Sequence, residues 1–410
     1  MFERLGDRNL WAIYLSTLVL GTACGLAIAS VGVYLTGLGF SKREIGWLAT
    51  AFAVGVIGGA PLAGIGVRRL GGKTVLATSM ALYAVAIGAF SLLPPDGFLF
   101  GCARFLDGAA SAGIWVSGEV LLLARTRREV KGLGMSLYSL AVGLGYALGP
   151  LLSEGLLHWI PLAGTYLVAA WIAAAAAMVV ALALRGDRDT ADADSPHDDG
   201  APSVPTPWRT LLRKTRTSCF ASFAYGYFQI SVVLFIPIWL ADERAVAPED
   251  TVQVTAWFAA GMLAFTSVLA RLGDRVGHLR VIQTLALIGA LAVCALPFTG
   301  PFRAICGLVF VAGATFATTA PLALAALGLM VAPADHARAN AAYNGFLALG
   351  MLLGPPVSSA IFEAFGGNAM FAHLALLWLA LAAFTAMHRR DLPIPDRRSG
   401  TGSRSVAAAV

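Results

Sequence analysis

Twelve stretches of this chain are almost continuously apolar. They lie near 10–36, 44–66, 73–93, 97–124, 132–157 and 162–184, then near 217–240, 250–271, 278–298, 302–331, 337–364 and 368–388. About 20 apolar residues in a helix cross roughly 30 Å of hydrocarbon, so each run is long enough to span a membrane. A transmembrane barrel would show alternating segments of about ten residues instead. The unbroken runs therefore predict an all-α membrane protein with 12 transmembrane helices. Residues 10–36 are too long for a removed signal peptide and carry no cleavage pattern.

The polar interruptions divide the chain six spans against six. The longest, residues 186–207, reads GDRDTADADSPHDDGAPSVPTP, with six Asp, four Pro and almost nothing to bury. That composition predicts a flexible linker. The predicted organisation is a six-helix bundle over 1–185, a cytoplasmic linker over 186–216, a second six-helix bundle over 217–390 and a cytoplasmic tail over 391–410. Within the linker, the segment from Trp208 to Lys214 is predicted to lie on the membrane surface as a short amphipathic helix.

Composition strengthens the membrane reading. Hydrophobic residues make up 58% of the 410 and charged residues 13%, about half the charged fraction of a soluble domain. The net charge of +6 would fit nucleic acid only if the basic residues formed a surface patch, and they do not. With both termini placed in the cytoplasm, all but five of the 29 lysines and arginines fall on the cytoplasmic side. Lys42, Arg43, Arg244 and Arg303 face out, and Arg104 lies within a span. Cytoplasmic loops are enriched in Lys and Arg, so this asymmetry fixes the orientation and supports an even number of crossings. The five cysteines lie in apolar runs without a CxxC pair, so no disulfide framework or zinc site is indicated.

The two halves also repeat each other. Arg69-Leu-Gly71-Gly-Lys73 after span 2 and Arg275-Val-Gly277 after span 8 are 206 residues apart. In span 5, Tyr138 precedes Gly145-x-x-x-Gly149-Pro150; in span 11, Tyr343 precedes Gly350-x-x-x-Gly354-Pro355, an offset of 205. Internal duplication is a mark of secondary transporters, whose site lies between the repeats. This plan and these motifs resemble the major facilitator superfamily over essentially residues 8–390. The loop motif of that family runs Gly-x-Leu-Ala-Asp-Arg-x-Gly-Arg-Lys. The second copy here keeps Asp274, Arg275 and Gly277; the first keeps Gly64, Arg69, Gly71 and Lys73, with Arg68 in place of the Asp. In the family this loop latches the cytoplasmic side, and Asp274 is the better placed of the two copies for that role. The span 5 motif resembles the antiporter motif, although Leu151, Leu152 and Ser153 replace its trailing glycines. Arg104 with Gly108 resembles the span 4 Arg-x-x-x-Gly motif that the family associates with proton coupling.

Charges inside a membrane helix are costly and face the bundle interior. Arg104 lies about 10 Å inside span 4, and Asp107, three residues on, shares its face. Such a pair is a proton switch if the Asp is protonated when Arg104 turns to substrate; otherwise it is a structural ion pair. Glu119 lies about 22 Å along the same helix from Arg104, beside Trp115. It reads either as a second proton site or as a headgroup-level carboxylate. The resemblance places spans 1, 4, 7 and 10 around a central cavity. Candidate lining residues there are Tyr14 and Thr17, Tyr225, Tyr227 and Gln229, then Thr315, Thr318 and Thr319, with Asn340, Tyr343 and Asn344 from span 11. Glu154, His158 and His373 read as structural. No phosphate loop, HExxH or GxSxG element is present, and no cofactor is expected.

The expected protein is a proton-coupled secondary transporter of a bacterial inner membrane, exporting a small organic or amphipathic compound by alternating access. It would be a monomer whose partners are substrate, protons and the lipid bilayer. A proton symporter for an organic solute or anion is the nearest alternative. A membrane-embedded enzyme lacks a clustered nucleophile or metal set, and a channel lacks a selectivity filter.

Overall fold

The computed structural model describes residues 8–126, 131–184, 206–332 and 335–388, and among these no strand occurs. The first half comprises α1 (Arg8–Gly37), α2 (Lys42–Leu70), α3 (Gly72–Ala89), α4 (Gly97–Arg125), α5 (Lys131–Leu157) and α6 (Leu162–Ala183). The second comprises α7 (Trp208–Arg244), the short α8 (Pro248–Thr251), α9 (Gln253–Val276), α10 (His278–Ala295), α11 (Phe302–Met330) and α12 (His336–Met387). Residues 186–205 of the linker, the tail from 391, and the basic residues Arg127, Arg128, Arg389, Arg390, Arg397, Arg398 and Arg404 lie outside the described residues.

Ten helices are long and apolar enough to span a membrane by length and composition, and an eleventh span joins α8 to α9, bending by 46° between Phe265 and Val268. The count reaches twelve because α12 is two spans. Its 52 residues would measure about 78 Å as one helix, more than two hydrocarbon thicknesses. It breaks at Gly366, where φ is 81° and ψ is 176°, inside the gap the sequence predicts. In lipid a freed backbone donor must find a partner. Here the Glu243 carboxylate of α7 accepts a 2.7 Å bond from Gly367 N–H and a 3.1 Å bond from Trp239 Nε1. One expectation changes: the segment from Trp208 to Lys214 is not a separate surface helix but the first turns of the 37-residue α7. The segment carries good helix formers and no proline, so nothing stops the span from extending outward.

An even number of crossings puts Arg8 and His388 at the same end of the bundle, called here the near end. The halves repeat in detail. Gly71 and Gly277 both hold positive φ, 84° and 100°, and both end one helix and begin the next. Their N–H groups bond Val67 O at 3.0 Å and Gly273 O at 2.9 Å. Small residues let helices approach closely in lipid. A methyl group on Gly108 would overlap the Phe52 carbonyl of α2, and one on Gly313 would overlap the Phe258 carbonyl of α9. Gly149 meets the backbone of α1 around Thr22 and Gly25, and Gly354 meets the backbone of α7 at Tyr227. Aromatic clusters fill each core. Phe90 stacks on Tyr166 at 5.4 Å in the first half, and Phe316 on Trp378 at 3.8 Å in the second.

The halves are tied together at the far end. Lys42 at the start of α2 pairs with Asp242 of α7 at 2.8 Å and lies 4.5 Å over the Phe362 ring. The Arg43 N–H donates to Glu363 at 2.9 Å, and Gln253 donates to Glu154 at 2.7 Å. Two turns further along α2, Thr50 donates to Leu352 O at 3.3 Å. Ser41 and Glu44 form a capping box that fixes the N-terminus of α2, so Lys42 and Arg43 are presented from a rigid first turn.

Candidate functional site

The span 4 charges form one compact unit. Asp96 caps α4 by accepting from Leu99 N–H at 2.9 Å. The helix then carries Arg104 and Asp107 to depths of about 10 and 15 Å at 1.5 Å per residue. Arg104 Nη1 meets Asp107 Oδ2 at 2.5 Å, and Ser111 Oγ donates to Asp107 Oδ1 at 3.4 Å. The guanidinium lies 4.6 Å over the Phe52 ring of α2, a cation–π contact that strengthens as water is excluded. Gly108 explains that contact. Without a side chain there, α2 comes close enough to bring Phe52 over the charge.

Asp107 is 3% exposed. Around it, within electrostatic reach, lie Cys24 of α1, Tyr83 of α3, Tyr146 of α5 and Tyr166 of α6. Tyr166 accepts a 3.2 Å bond from Ser30. Tyr146 is in turn within electrostatic reach of Tyr225 on α7, and Tyr225 of Tyr343 on α12. Cys24, Tyr83, Tyr146 and Tyr166 are uncharged residues in apolar runs, and only the position of Tyr146 beside Gly145 hinted at its place. The second half has no matching charge: the residues 205 positions on are Val309 and Ala312.

Other candidates sit elsewhere. Glu119 is exposed on α4, near Tyr138 and away from the pair. Tyr14 donates to Gly134 O at 3.3 Å, joining α1 to α5, and Thr17 is buried beside it on α1. Tyr227 meets His373 Nε2 at 3.3 Å, and Ser358 meets the same nitrogen at 3.2 Å, so both belong to a cluster within the second half. Gln229 is half-buried. Thr315, Thr318 and Thr319 are buried, and their hydroxyls bond back to carbonyls one turn earlier on α11. Asn340 and Asn344 are exposed and bond each other at 3.3 Å, while Tyr343 donates to Ala320 O at 2.8 Å. In the loops, Arg69 and Arg275 are exposed and Lys73 is half-buried. Asp274 pairs with His278 of its own half at 3.2 Å. Among the described residues no cluster of three metal-ligating side chains occurs.

Two repeated helical halves, tied together at one end and with the Arg104–Asp107 pair buried in the first, are the frame of a multi-pass membrane transporter. A family model described as Major Facilitator Superfamily matches residues 13–246 and 218–408, and the chain belongs to that superfamily. It is 22% identical over 371 residues to the MFS-type transporter YfkF of Bacillus subtilis strain 168, covering 88% of this chain and 91% of that one. It is 25% identical over 292 residues to a probable 4-methylmuconolactone transporter of Cupriavidus pinatubonensis, covering 69% and 68%. Solved structures of the same fold include a bacterial homologue of the human lysosomal transporter Spinster, inward-facing and occupied, with TM-score 0.72 and 14% identity over 93% of this chain and 96% of that one. The inward-open xylose transporter XylE from E. coli also has TM-score 0.72 and 14% identity, over 95% and 98%.

Proposed function

We propose that this transporter is a proton-coupled antiporter of the bacterial inner membrane that exports a small organic or amphipathic compound. It works as a monomer with both termini in the cytoplasm. The observation that carries the reading is the Arg104–Asp107 pair. Intramembrane charges cost at least about 2.5 kcal/mol each, and the duplicated half manages without them at Val309 and Ala312. Arginine cannot lose its proton, so Asp107 is the group that exchanges one, and Ser111 stays hydrogen-bonded to it in the ion-paired state. With Asp107 charged the pair is neutral and held. With Asp107 protonated, Arg104 is released to face the cavity. Glu119 is a second proton site toward the inner mouth. Of the cavity candidates, Tyr14, Tyr227, Thr315 and Thr318 are engaged in hydrogen bonds within their own half; Thr17, Tyr225, Gln229, Asn340 and Asn344 remain, none of them charged, which favours an uncharged or amphipathic solute. The small organic lactone named for the Cupriavidus relative fits that class.

The arginine-rich loops favour a cytoplasmic near end, and with the halves tied together at the far end we read this conformation as inward-facing. In that state the loop latch is disengaged, which accords with Asp274 resting on His278 of its own half. Arg69, Gly71 and Lys73, together with Asp274, Arg275 and Gly277, engage it when the near end closes. Gly145, Gly149, Pro150, Gly354 and Pro355 supply the smooth helix crossings over which the halves rock.

The test is a screen of small organic compounds on the protein in proteoliposomes containing a pH-sensitive dye. The expected result is solute-induced proton flux that Asp107→Asn abolishes while solute exchange persists. Proton flux that survives in Asp107→Asn refutes the coupling role. Uptake with an inward proton gradient, rather than exchange against it, would assign symport, with Arg104 holding an organic anion.

A further inference from the structure

The second half also holds an ionisable side chain inside a span. Among Asp, Glu, Lys, Arg and His, only His373 lies more than one turn from the end of a second-half span in the ranges given above. In lipid such a residue is costly, and it is kept where it handles protons or substrate. His373 takes no part in the Arg104–Asp107 unit. Three neighbours close on its ring, which stands on the second arm of α12. Tyr227 Oη of α7 lies 3.3 Å from His373 Nε2, and Ser358 Oγ of the first arm of α12 lies 3.2 Å from the same nitrogen. The carbonyls of Ala369 and Met370, one turn back, lie beside the ring, and no charged side chain acts on it among the described residues. α10 and α11 also pack on α12. Their titratable groups, His278, Arg280 and Cys294 on α10 and Arg303 and Cys306 on α11, lie toward the helix ends.

The hydrogens of this cluster can be counted. Ser231 Oγ lies 2.7 Å from the Tyr227 carbonyl oxygen, which only accepts, so Ser231 donates there. Ser358 Oγ therefore donates to Ser231 Oγ, 3.0 Å away. Its one hydrogen is committed, and toward Nε2 it presents a lone pair. Tyr227 Oη still has a hydrogen to give. Nε2 thus faces one donor and one acceptor. Nδ1 is buried and makes no hydrogen bond. The carbonyls beside the ring would repel a bare lone pair, so we assign the hydrogen of the neutral ring to Nδ1. In that form Tyr227 donates to Nε2 and the lone pair of Ser358 goes unused. When Nε2 takes a proton from water, the new N–H donates to Ser358 and Tyr227 lets go. A histidine acting only as a strut would need the donor alone. We propose that His373 is a second proton-binding site of this transporter, filled and emptied at Nε2 as the hydrogen bond passes between Tyr227 and Ser358. The exchange moves the bond of the ring from α7 to the first arm of α12, next to the crossing where Gly354 meets the Tyr227 backbone. Its place in a transport cycle rests on the proton coupling proposed above; the binding of the proton does not.

The experiment is nitrogen NMR of the full-length protein in lipid nanodiscs, with isotope-labelled histidine and no solute added. The His373 Nε2 resonance is assigned by its loss in His373→Gln and by its displacement in Ser358→Ala. It should pass from a bare to a protonated nitrogen as the pH falls from about 8 to about 4.5. Ser358→Ala removes the acceptor of the charged ring and should weaken proton binding about two- to tenfold. Tyr227→Phe removes the donor to the neutral ring and should strengthen it by about the same factor. A purely structural histidine would not move its midpoint in opposite directions in these two variants. A wild-type Nε2 that stays bare across the range overturns the proposal without recourse to any variant. So do midpoints that move the same way in both variants, which would leave only a change in burial. Asp107→Asn should keep the titration even where it abolishes proton flux, so this site and the coupling role of Asp107 are read separately; loss of the titration there would overturn a separate site.

Discussion

Replacing Lys42 with Gln should loosen the far end by an amount the structure allows to be worked out. Two interactions are lost together. The first is the 2.8 Å ion pair with Asp242, whose partners are 27% and 32% exposed. At that exposure, double-mutant cycles give about 0.2–1 kcal/mol. The second is the 4.5 Å cation–π contact with Phe362, about 0.5–1 kcal/mol where water has access. Together they hold the far end shut by about 0.7–2 kcal/mol, so their loss raises the open-to-shut ratio about 3- to 30-fold. The Arg43–Glu363 and Gln253–Glu154 bonds remain, so the end loosens without falling apart. Asp242→Asn removes the ion pair but keeps the cation–π contact and should shift the ratio less. High salt should abolish the difference between wild type and Asp242→Asn, because it screens exposed pairs, and should leave the Lys42→Gln effect partly in place.

The assay is pulsed electron resonance between spin labels at Trp159 and Phe298. These residues are 86% and 87% exposed at the far end of the two halves. The exposed native cysteines, Cys102 and Cys294, are first replaced with serine. A longer-distance population should grow in Lys42→Gln. An unchanged distance distribution would show that the pair does not hold the gate. An Asp242→Asn effect as large as that of Lys42→Gln would show that Phe362 contributes nothing.

Gly108→Ala should destabilise the protein by about 1–3 kcal/mol, because the new methyl group meets the Phe52 backbone and α2 must move off α4. About two turns earlier on the same helix, a methyl group on Gly101 would make only an ordinary 4.0 Å contact with Leu48; Gly101→Ala should gain about 0.5–1 kcal/mol. Thermal unfolding in detergent reads both, and equal effects would refute the close-approach argument. At the near end, a hydrogen bond from Thr206, with Arg338 beside it, holds the Asp335 carboxyl below the usual carboxylate range. A depressed value means that the contact contributes fully above about pH 4 and is lost as pH falls through the lowered value. Amide exchange at residues 206–212, corrected for intrinsic rate, should be flat from pH 7 to 5 and rise below that window, and Asp335→Asn should show the raised rate at neutral pH.

The membrane architecture was legible because lipid imposes it: unbroken apolar length marks a span, and a repeated motif at one offset marks a duplicated half. The Arg104–Asp107 unit was legible for the same reason, since charge in a span is rare and a three-residue spacing fixes a shared face. Its surroundings were not. Phe52, Cys24, Tyr83 and Tyr146 come from four other helices, and no local pattern tells an aromatic facing lipid from one facing a buried carboxylate. The threonines of α11 show the converse. Their hydroxyl protons are taken up by carbonyls one turn back, a choice available to any buried Thr in a helix. Tyr227 and His373 lie 146 residues apart, and only the packing of α7 against α12 joins them.

The asymmetry between the halves has a mechanical consequence. The backbones match closely enough that Gly108 and Gly313 press on equivalent carbonyls of α2 and α9, so both halves contain the same close helix crossing. Charge breaks the match. Arg104 and Asp107 in α4 stand opposite Val309 and Ala312 in α11. On the proposed coupling, a protonation event at Asp107 acts on one half alone, and it reaches the other only across the seam between them. At the far end Lys42, Arg43 and Glu154 of the first half meet Asp242, Glu363 and Gln253 of the second. The first half thus holds the Arg104–Asp107 pair, the Lys42 ammonium and the Arg43 backbone N–H, while the second supplies the Asp242 and Glu363 carboxylates that accept from Lys42 and Arg43. α2 connects these two functions directly. Its Phe52 lies over Arg104 and its Lys42 closes the gate, ten residues or about 15 Å apart along one helix. A movement of Arg104 on protonation of Asp107 would be felt first through Phe52 by the helix that carries the lock.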